Sequence, residues 1–307
     1  MWNFKYIPRR VCIPIGMACN VQCKYCMRFN GKIKEPKGFT PMMKAFLQQL
    51  NPKTTEAVVV NGGEPLLYLD RIKELHSLID PNIHLTVMTN GTLITEKFVD
   101  WLNDINGELH FSHEGLGAKY LKGIDVLEND YIVKCLNKVK SMRLYNIITD
   151  CNYNVIANFN YIKSKLNNVY DMNFHICPMF AFNNNNYLIN NFDFIKYQKN
   201  ITEFYGLYPQ ESQNKHMTGG IHKLRGTNVL PNGDVVSIVT LKKYGTVLNT
   251  VEEIEEVMKQ LGEYDFCINR KCHVRNYCIT APQCANEFTC KCVEIHAETM
   301  EYLSKYN

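Results

Sequence analysis

Three cysteines stand near the start of the chain with the spacing C-x3-C-x2-C, in the run Cys19-Asn-Val-Gln-Cys23-Lys-Tyr-Cys26. One loop of that length can wrap three thiolates around a single metal centre. A structural zinc or a closed cubane takes four protein ligands, whereas three cysteines on a four-iron cluster leave one iron open to an exogenous ligand, and an open position implies chemistry. The alternative is a zinc site completed by a distant residue such as His84 or His113. Six more thiols crowd the end of the chain, as Cys267-x4-Cys272-x5-Cys278-x5-Cys284-x5-Cys290-x-Cys292. That stretch is too short and too polar for a hydrophobic core of its own, and a bound metal would supply the missing stability. Zinc and iron–sulfur both fit such spacing.

Other polar groups sit where apolar runs end. Val58-Val-Val-Asn61-Gly62-Gly63-Glu64-Pro65 finishes on two glycines, which let the backbone approach a ligand without Cβ interference, followed by a carboxylate able to accept from an ammonium. Thr89-Asn90-Gly91, Ser112-His113-Glu114-Gly115 and Thr149-Asp150-Cys151-Asn152-Tyr153-Asn154 end three further runs.

The elements that must position these residues alternate regularly. Short β-branched runs at Val11–Ile15, Glu56–Asn61, Ile83–Thr89, Glu108–Ser112, Tyr145–Asp150 and Met172–Cys177 read as strands. Helical spacing fills Pro41–Leu50, Leu69–Ile79, Thr95–Asn103, Tyr131–Ser141 and Asn158–Lys165 between them. The fold class is α/β: six βα units make a partial (β/α)6 TIM-like barrel, followed by a C-terminal cysteine-rich extension. In such folds ligands bind where the loops at the carboxyl ends of the strands converge, which is where the motifs fall. A four-Asn run, Asn183–Asn186, with Tyr187–Asn191 after it, reads as a polar linker. Beyond it come a helix near Phe192–Tyr205, a hairpin at Val229–Val236 whose Asn232-Gly233 centre suits a type I′ turn, and a helix near Val251–Leu261. The division expected is a barrel over 1–182, a linker and bridging helix over 183–220, and a cysteine-rich region over 221–307.

With 307 residues, 46% of them hydrophobic and 21% charged, the chain has the composition of an ordinary globular protein. No run approaches the ~20 apolar residues of a membrane span, and the first residues lack the apolar core of a secretory signal. Neither a membrane nor secretion is expected, and the reading is cytoplasmic. There the clustered thiols among the 13 cysteines are metal ligands sooner than disulfides. A net charge of +4 gives no basis for a nucleic-acid groove.

From residue 10 to 180 the sequence resembles the radical S-adenosylmethionine (SAM) superfamily, on the strength of Cys19, Cys23 and Cys26, the Gly62-Gly63-Glu64-Pro65 motif and the Thr89-Asn90-Gly91 segment. The resemblance implies a [4Fe–4S] cluster whose open iron is chelated by the amino and carboxylate groups of SAM. It places Tyr25 by the adenine and assigns the SAM amino group to Gly62, Gly63 and Glu64, with Pro65 and Asn90 among the cofactor contacts. Ser112 and Glu114 fall to the ribose hydroxyls, Glu114 standing where the family often has Asp, and Asn152 or Asn154 to the ribose or carboxylate. One electron entering the sulfonium breaks a carbon–sulfur bond and gives methionine and a 5′-deoxyadenosyl radical, chemistry that the cofactor carries and the protein orients.

The tail resembles the SPASM extension, or its shorter twitch form, of radical SAM enzymes that modify peptides and proteins, which implies at least one auxiliary [4Fe–4S] cluster. Ser237-Ile238 and Arg225-Gly226 stand where the full extension carries cysteines, so one auxiliary cluster is expected sooner than two. The resemblance favours a peptide or protein substrate and a crosslink, thioether, epimerisation or oxidation as product. It also implies an electron donor such as flavodoxin or ferredoxin. Only eighteen residues precede Cys19, so a separate leader-peptide recognition protein is a possible partner. The competing readings are a radical enzyme acting on a small molecule or activating another enzyme, and a non-catalytic zinc or iron–sulfur binding protein. Candidates for substrate chemistry are Cys177, Asp150 and Cys151, with Cys12, His113 and His175 also at strand positions.

Overall fold

The computed structural model describes residues 2–26, 35, 37–170, 174–178, 186–208, 227–237, 242–263 and 287–304. In chain order it opens with β1 (Arg10–Gly16), α1 (Pro41–Gln48), β2 (Ala57–Gly62), α2 (Leu69–Leu78), β3 (His84–Thr89), α3 (Glu96–Asp104) and β4 (Glu108–Ser112). Next come α4 (Ala118–Lys122), α5 (Asp130–Asn137), β5 (Met142–Ile148), α6 (Val155–Lys165), β6 (Phe174–Pro178) and α7 (Phe194–Leu207). The last elements are β7 (Thr227–Val229), β8 (Asp234–Ser237), β9 (Lys243–Thr246), α8 (Val251–Gln260) and α9 (Glu287–Ser304).

The six strands β1 to β6 lie side by side in chain order, every pair parallel. This is the partial barrel that the alternation predicts, with β1 and β6 as its two edges. Register divides the residues between two faces. Ile13, Val60, Val87 and Leu109 pair across four strands and are fully buried in the shared core with the helices, as are Phe111, Leu144 and Phe174 beyond them. The alternate positions, Cys12, Val59, Thr86 and Glu108, or Ser112, Tyr145 and His175, fall on the concave face. Most polar residues inside the strands thus share the inner face, Thr89 and Asn146 being on the helix side. Helix starts follow local chemistry: Thr40, Thr95, Asn129 and Asn154 each accept a backbone N–H of the first turn of α1, α3, α5 and α6.

The rest of the chain covers both edges of the sheet. The antiparallel β7–β8–β9 ribbon packs beside β1, where the Tyr6 hydroxyl meets Thr227 Oγ1 at 3.2 Å and Thr40 N donates to Pro231 O. At the other edge α9 packs on α7 and β6, with Phe288 against Phe192 and His296 between Tyr197 and Tyr205.

Three expectations need correction. The fifth strand runs Met142–Ile148, starting three residues before the expected Tyr145 and ending two before Asp150, because Thr149–Asn152 is a turn closed by the Asn152 side chain. The hairpin turn is Leu230–Gly233, with Gly233 N donating to Leu230 O and Gly233 at φ 88°. Proline fixes a negative φ at Pro231, so a type I′ turn, which needs two positive φ values, cannot form there. The Tyr187–Asn191 segment is no polar linker, since Leu188 is buried in the core and its carbonyl accepts from Asp150 N. The end of the tail is the eighteen-residue helix α9, which contributes Phe288, Cys292 and Ile295 to the core shared with the barrel.

Candidate active site at the mouth of the barrel

The site forms where the carboxyl ends of β1 to β5 converge. The loop after β1 carries Cys19, Cys23 and Cys26. Its entry is held from below: Ala18 N donates to the Tyr68 hydroxyl, Met17 N to the Glu35 carboxylate, and Arg71 donates to Ile15 O. Gly62 and Gly63 make room for the same loop. A Cβ on Gly62 would lie 2.2 Å from Gly16 O and one on Gly63 2.1 Å from Ala18 O, and the backbone bonds Gly63 N to Gly16 O and Glu64 N to Ala18 O lock the approach. In this structure the two glycines serve the close approach of the cysteine loop itself.

Glu64 joins the ends of β2 and β3. Its carboxylate is fully buried and accepts from Leu66 N, the Thr89 hydroxyl and Asn90 N at 2.8–3.0 Å, while Pro65 starts a short 3-10 turn. Burial pushes its carboxyl above the usual range against the pull of these donors. Asn90 in turn reaches the cysteine loop, its Nδ2 lying 3.1 Å from Asn20 Oδ1 and 3.8 Å from Cys19 Sγ. The Gly-Gly-Glu turn, the Thr-Asn-Gly turn and the cysteine loop are therefore one hydrogen-bonded unit.

The end of β4 is a second buried unit. Glu114 is fully buried; its Oε1 accepts from the Tyr25 hydroxyl and, at 3.2 Å, from Ser112 Oγ. Burial first, then the Glu114 charge, keeps the Tyr25 proton in place well beyond the ordinary phenol range. Lys122, on the last turn of α4, lies 3.0 Å from Glu114 Oε2 and donates to Ser112 O and Oγ. The contact with Oε2 is off the line of a hydrogen bond, so that buried oxygen accepts none.

Amides hold this turn from behind. Asn152 spends its whole side chain internally: Oδ1 accepts from Thr149 N and Oγ1, and Nδ2 donates to Glu114 O and Ile147 O. Asn158 Oδ1 accepts from Leu116 N, and its Nδ2 donates to Asn152 O and Asn146 Oδ1. Asn154 caps α6 and accepts from Asn200. His113 Nδ1 accepts from Gly115 N at 3.0 Å, which places its proton on Nε2, 2.9 Å from Asp125 Oδ1; Tyr161 donates to the other carboxylate oxygen. His113 is committed on both nitrogens and His84 opens β3 at the far end of the strand, so neither completes a zinc site with the cysteines.

Among the described residues no three His, Cys, Asp or Glu side chains converge as ligands of one metal ion. A single tetrahedral ion at Zn–S distances of about 2.3 Å needs its sulfurs within ~4 Å of one another. Thiolates on a cluster sit on separate irons and do not. The residues present fit a cluster with an organic ligand. Burial pushes the Cys23 thiol up to about 12 although Lys122 pulls it down, so it needs metal charge to ionise. An amide N–H faces Cys19 Sγ, and an orphan carboxylate oxygen waits on Glu114 for a hydroxyl donor.

Of the substrate candidates, Cys177 pairs with Ile147 on the concave face with its thiol pushed up to about 12 by burial. Asp150 and the exposed Cys151 lie in the turn after β5, where Cys151 Sγ is 3.2 Å from Thr149 Oγ1. Cys292 is buried in the core near Tyr197, and Cys290 is buried two positions earlier on the same helix. Cys267, Cys272, Cys278 and Cys284 lie outside the described residues. Sequence reasoning missed Lys122, Asp125, Asn146 and Asn158. Asn146 alone carried a signal, a polar residue inside the apolar run Leu144-Tyr-Asn-Ile-Ile.

An open parallel barrel with a cysteine loop and buried polar groups gathered at its carboxyl end is built to hold a reactive cofactor. Residues 13–156 match the model of the radical SAM superfamily, whose domains bind a [4Fe–4S] cluster and SAM. The AdoMet-dependent heme synthase of Methanosarcina barkeri is 26% identical over 159 residues, 46% of this chain and 45% of that one. The chain spans about half the length of the curated relatives it matches. Among solved structures, anSMEcpe with bound AdoMet and Kp18Cys peptide is similar with a TM-score of 0.70, 16% identity and coverage of 97% of this chain and 98% of that one. Streptococcus suis SuiB bound to precursor peptide SuiA has a TM-score of 0.62 at 16% identity, over 94% of this chain and 77% of that one. These likenesses establish the fold, and they extend through the C-terminal region. Among the described residues no helix is long and apolar enough to cross a membrane.

Proposed function

We propose that the chain is a radical SAM maturase that removes a hydrogen atom from a peptide or protein and so forms a crosslink, thioether, epimer or oxidised residue. The observation that carries this reading is the fold likeness over 97% of the chain to a protein crystallised with AdoMet and a peptide, beyond the radical SAM domain alone. When bound, the cluster and SAM supply one electron and a 5′-deoxyadenosyl radical. The chain's own residues do the rest. Cys19, Cys23 and Cys26 hold the cluster, Glu114 and Ser112 receive the ribose hydroxyls, and Tyr25 closes over the site with its hydroxyl anchored on Glu114. Glu64 acts through the turns it ties together. Burial of the Lys122–Glu114 pair keeps water from the site.

The division proposed is a barrel over 1–182, a bridging segment over 183–220 and an extension over 221–307 that carries at least one auxiliary [4Fe–4S] cluster. Cys177 is the leading hydrogen donor because, of Cys177, Asp150 and Cys151, it is the one on the concave face of a strand, the other two lying in the turn after β5. A flavodoxin or ferredoxin reduces the protein, and the compartment is the reducing cytoplasm.

Anaerobic reconstitution tests this. About eight irons per chain with SAM cleavage on reduction supports a maturase with an auxiliary cluster; zinc without SAM cleavage defeats it. A second reading, action on a small molecule, draws on the likeness to a heme synthase, and about four irons per chain with cleavage would favour it.

A further inference from the structure

Lys122 is the least expected charge in the molecule. It ends a five-residue helix in Ala118-Lys-Tyr-Leu-Lys122, a setting in which a lysine ordinarily reaches solvent. Its side chain is instead 4% exposed. The ammonium donates to the Ser112 carbonyl at 2.5 Å and the Ser112 hydroxyl at 3.1 Å, and it stands 3.0 Å from Glu114 Oε2 as an ion pair. An ammonium so far from water persists only when paired.

Two contacts connect this cation with the cysteine loop. Tyr25 donates to the Glu114 carboxylate that Lys122 neutralises, and Lys24 N donates to the carbonyl of Leu121, the residue before Lys122, at 2.8 Å. The peptide that follows Cys23 is therefore fastened to the helix turn that carries the ammonium.

We propose that the buried Lys122–Glu114 pair is the electrostatic setting of the site: Lys122 raises the reduction potential of the centre held by Cys23, Glu114 lowers it, and Lys122 fixes the Glu114 carboxylate for a sugar hydroxyl. The inference rests on the reading that this domain holds a reducible cluster and SAM. A positive charge near a cluster stabilises its reduced, more negative form, and a negative charge does the opposite. Because the two charges are adjacent, their effects on potential largely cancel while both are present. Glu114 Oε1 is already filled by two hydroxyl donors, so Oε2 is the oxygen left for the ligand, and Lys122 compensates its charge without occupying its hydrogen-bonding direction.

The experiment uses the full chain reconstituted with iron and sulfide, as wild type, Lys122→Met, Glu114→Gln and the double variant. The readouts are iron content, the potential from a redox titration followed by electron paramagnetic resonance, and SAM affinity by equilibrium binding. Lys122→Met is expected to shift the potential down and Glu114→Gln to shift it up, with the double variant close to wild type. SAM binding should weaken at least about tenfold in all three, the loss of one charged hydrogen-bond partner. Shifts of one sign in both single variants, or none, overturn the proposal, since loosened packing has no reason to reverse with the charge removed. If Lys122→Met assembles no centre, the upward shift of Glu114→Gln decides alone. A wild type that takes up no cluster defeats the underlying reading instead.

Discussion

The side-chain amide of Asn61, at the end of β2, donates to the amide oxygen of Asn228 on β7 at 3.1 Å, and both residues are almost completely buried. Asn61 immediately precedes the Gly62-Gly63 turn, so the same strand end that receives the cysteine loop is tied to the C-terminal ribbon. Leu at position 228 would leave the Asn61 amide with neither donor nor acceptor satisfied, since Asn61 Oδ1 already lacks a partner. Asn228→Leu should lower the denaturant midpoint by the equivalent of about 1–3 kcal/mol. The Asn61→Leu, Asn228→Leu double variant should recover most of it, because two apolar groups face each other at no polar cost. A double variant as unstable as the single one would show that the pair matters for shape instead.

Gly63→Ala should separate folding from cofactor loading. The added methyl would sit 2.1 Å from Ala18 O and 2.4 Å from Met17 O, and backbone cannot turn aside as a side chain can. The cysteine loop must move outward while the strand core of Val58 and Val60 stays packed. The expected result is a far-ultraviolet circular dichroism spectrum like that of the wild type with most of the iron lost on reconstitution. Normal iron content would mean that the loop tolerates the shift.

How far the sequence carried the fold depends on where periodicity was undiluted. Glu108–Ser112 is a strand at the residues expected, and β1 to β3 begin or end within one residue of expectation, because β-branched runs there are bounded by Pro, Gly or Asn. The fifth strand starts at Met142, since Met142, Leu144 and Ile148 alternate as one buried face while Thr149-Asp150 belongs to a turn set by the distant geometry of Asn152. The motif residues were legible as a set but not in their partners. Nothing local says that Lys122 is buried or that Asp125 meets His113, since those contacts exist only once α4 folds back on β4. Nor could spacing show that Glu64 works by joining two turns.

Asp125→Asn tests the role of His113 behind the site. His113 takes the Gly115 N–H on Nδ1 and offers Nε2–H to Asp125, which orients the ring and thereby the turn that carries Glu114. An amide at 125 can present its NH2 to the ring and favour the other tautomer, which withdraws the acceptor from Gly115. SAM affinity should fall by about tenfold, the scale seen for partners that orient a binding residue, while iron content holds. A loss of iron together with SAM binding would place His113 in general stability instead of in orienting Glu114.

The docking of α9 should depend on pH through His296. Its two nitrogens meet the Tyr197 hydroxyl at 2.6 Å and the Tyr205 hydroxyl at 2.8 Å, and burial lowers its pKa to about 4. The unfolded chain binds a proton at an ordinary histidine pKa near 6.5. Between these values the unfolded state holds more protons than the folded one, so stability is complete above about pH 6.5 and falls as the pH drops toward 4. Two and a half pH units at about 1.4 kcal/mol each set a ceiling on the order of 3 kcal/mol. Amide hydrogen exchange in α9 should therefore quicken between pH 7 and pH 4.5 beyond the intrinsic pH dependence, and His296→Gln should remove the excess while shifting protection down at every pH. An unchanged pH slope in His296→Gln would transfer the effect to other groups, because no other histidine packs between α7 and α9 among the described residues.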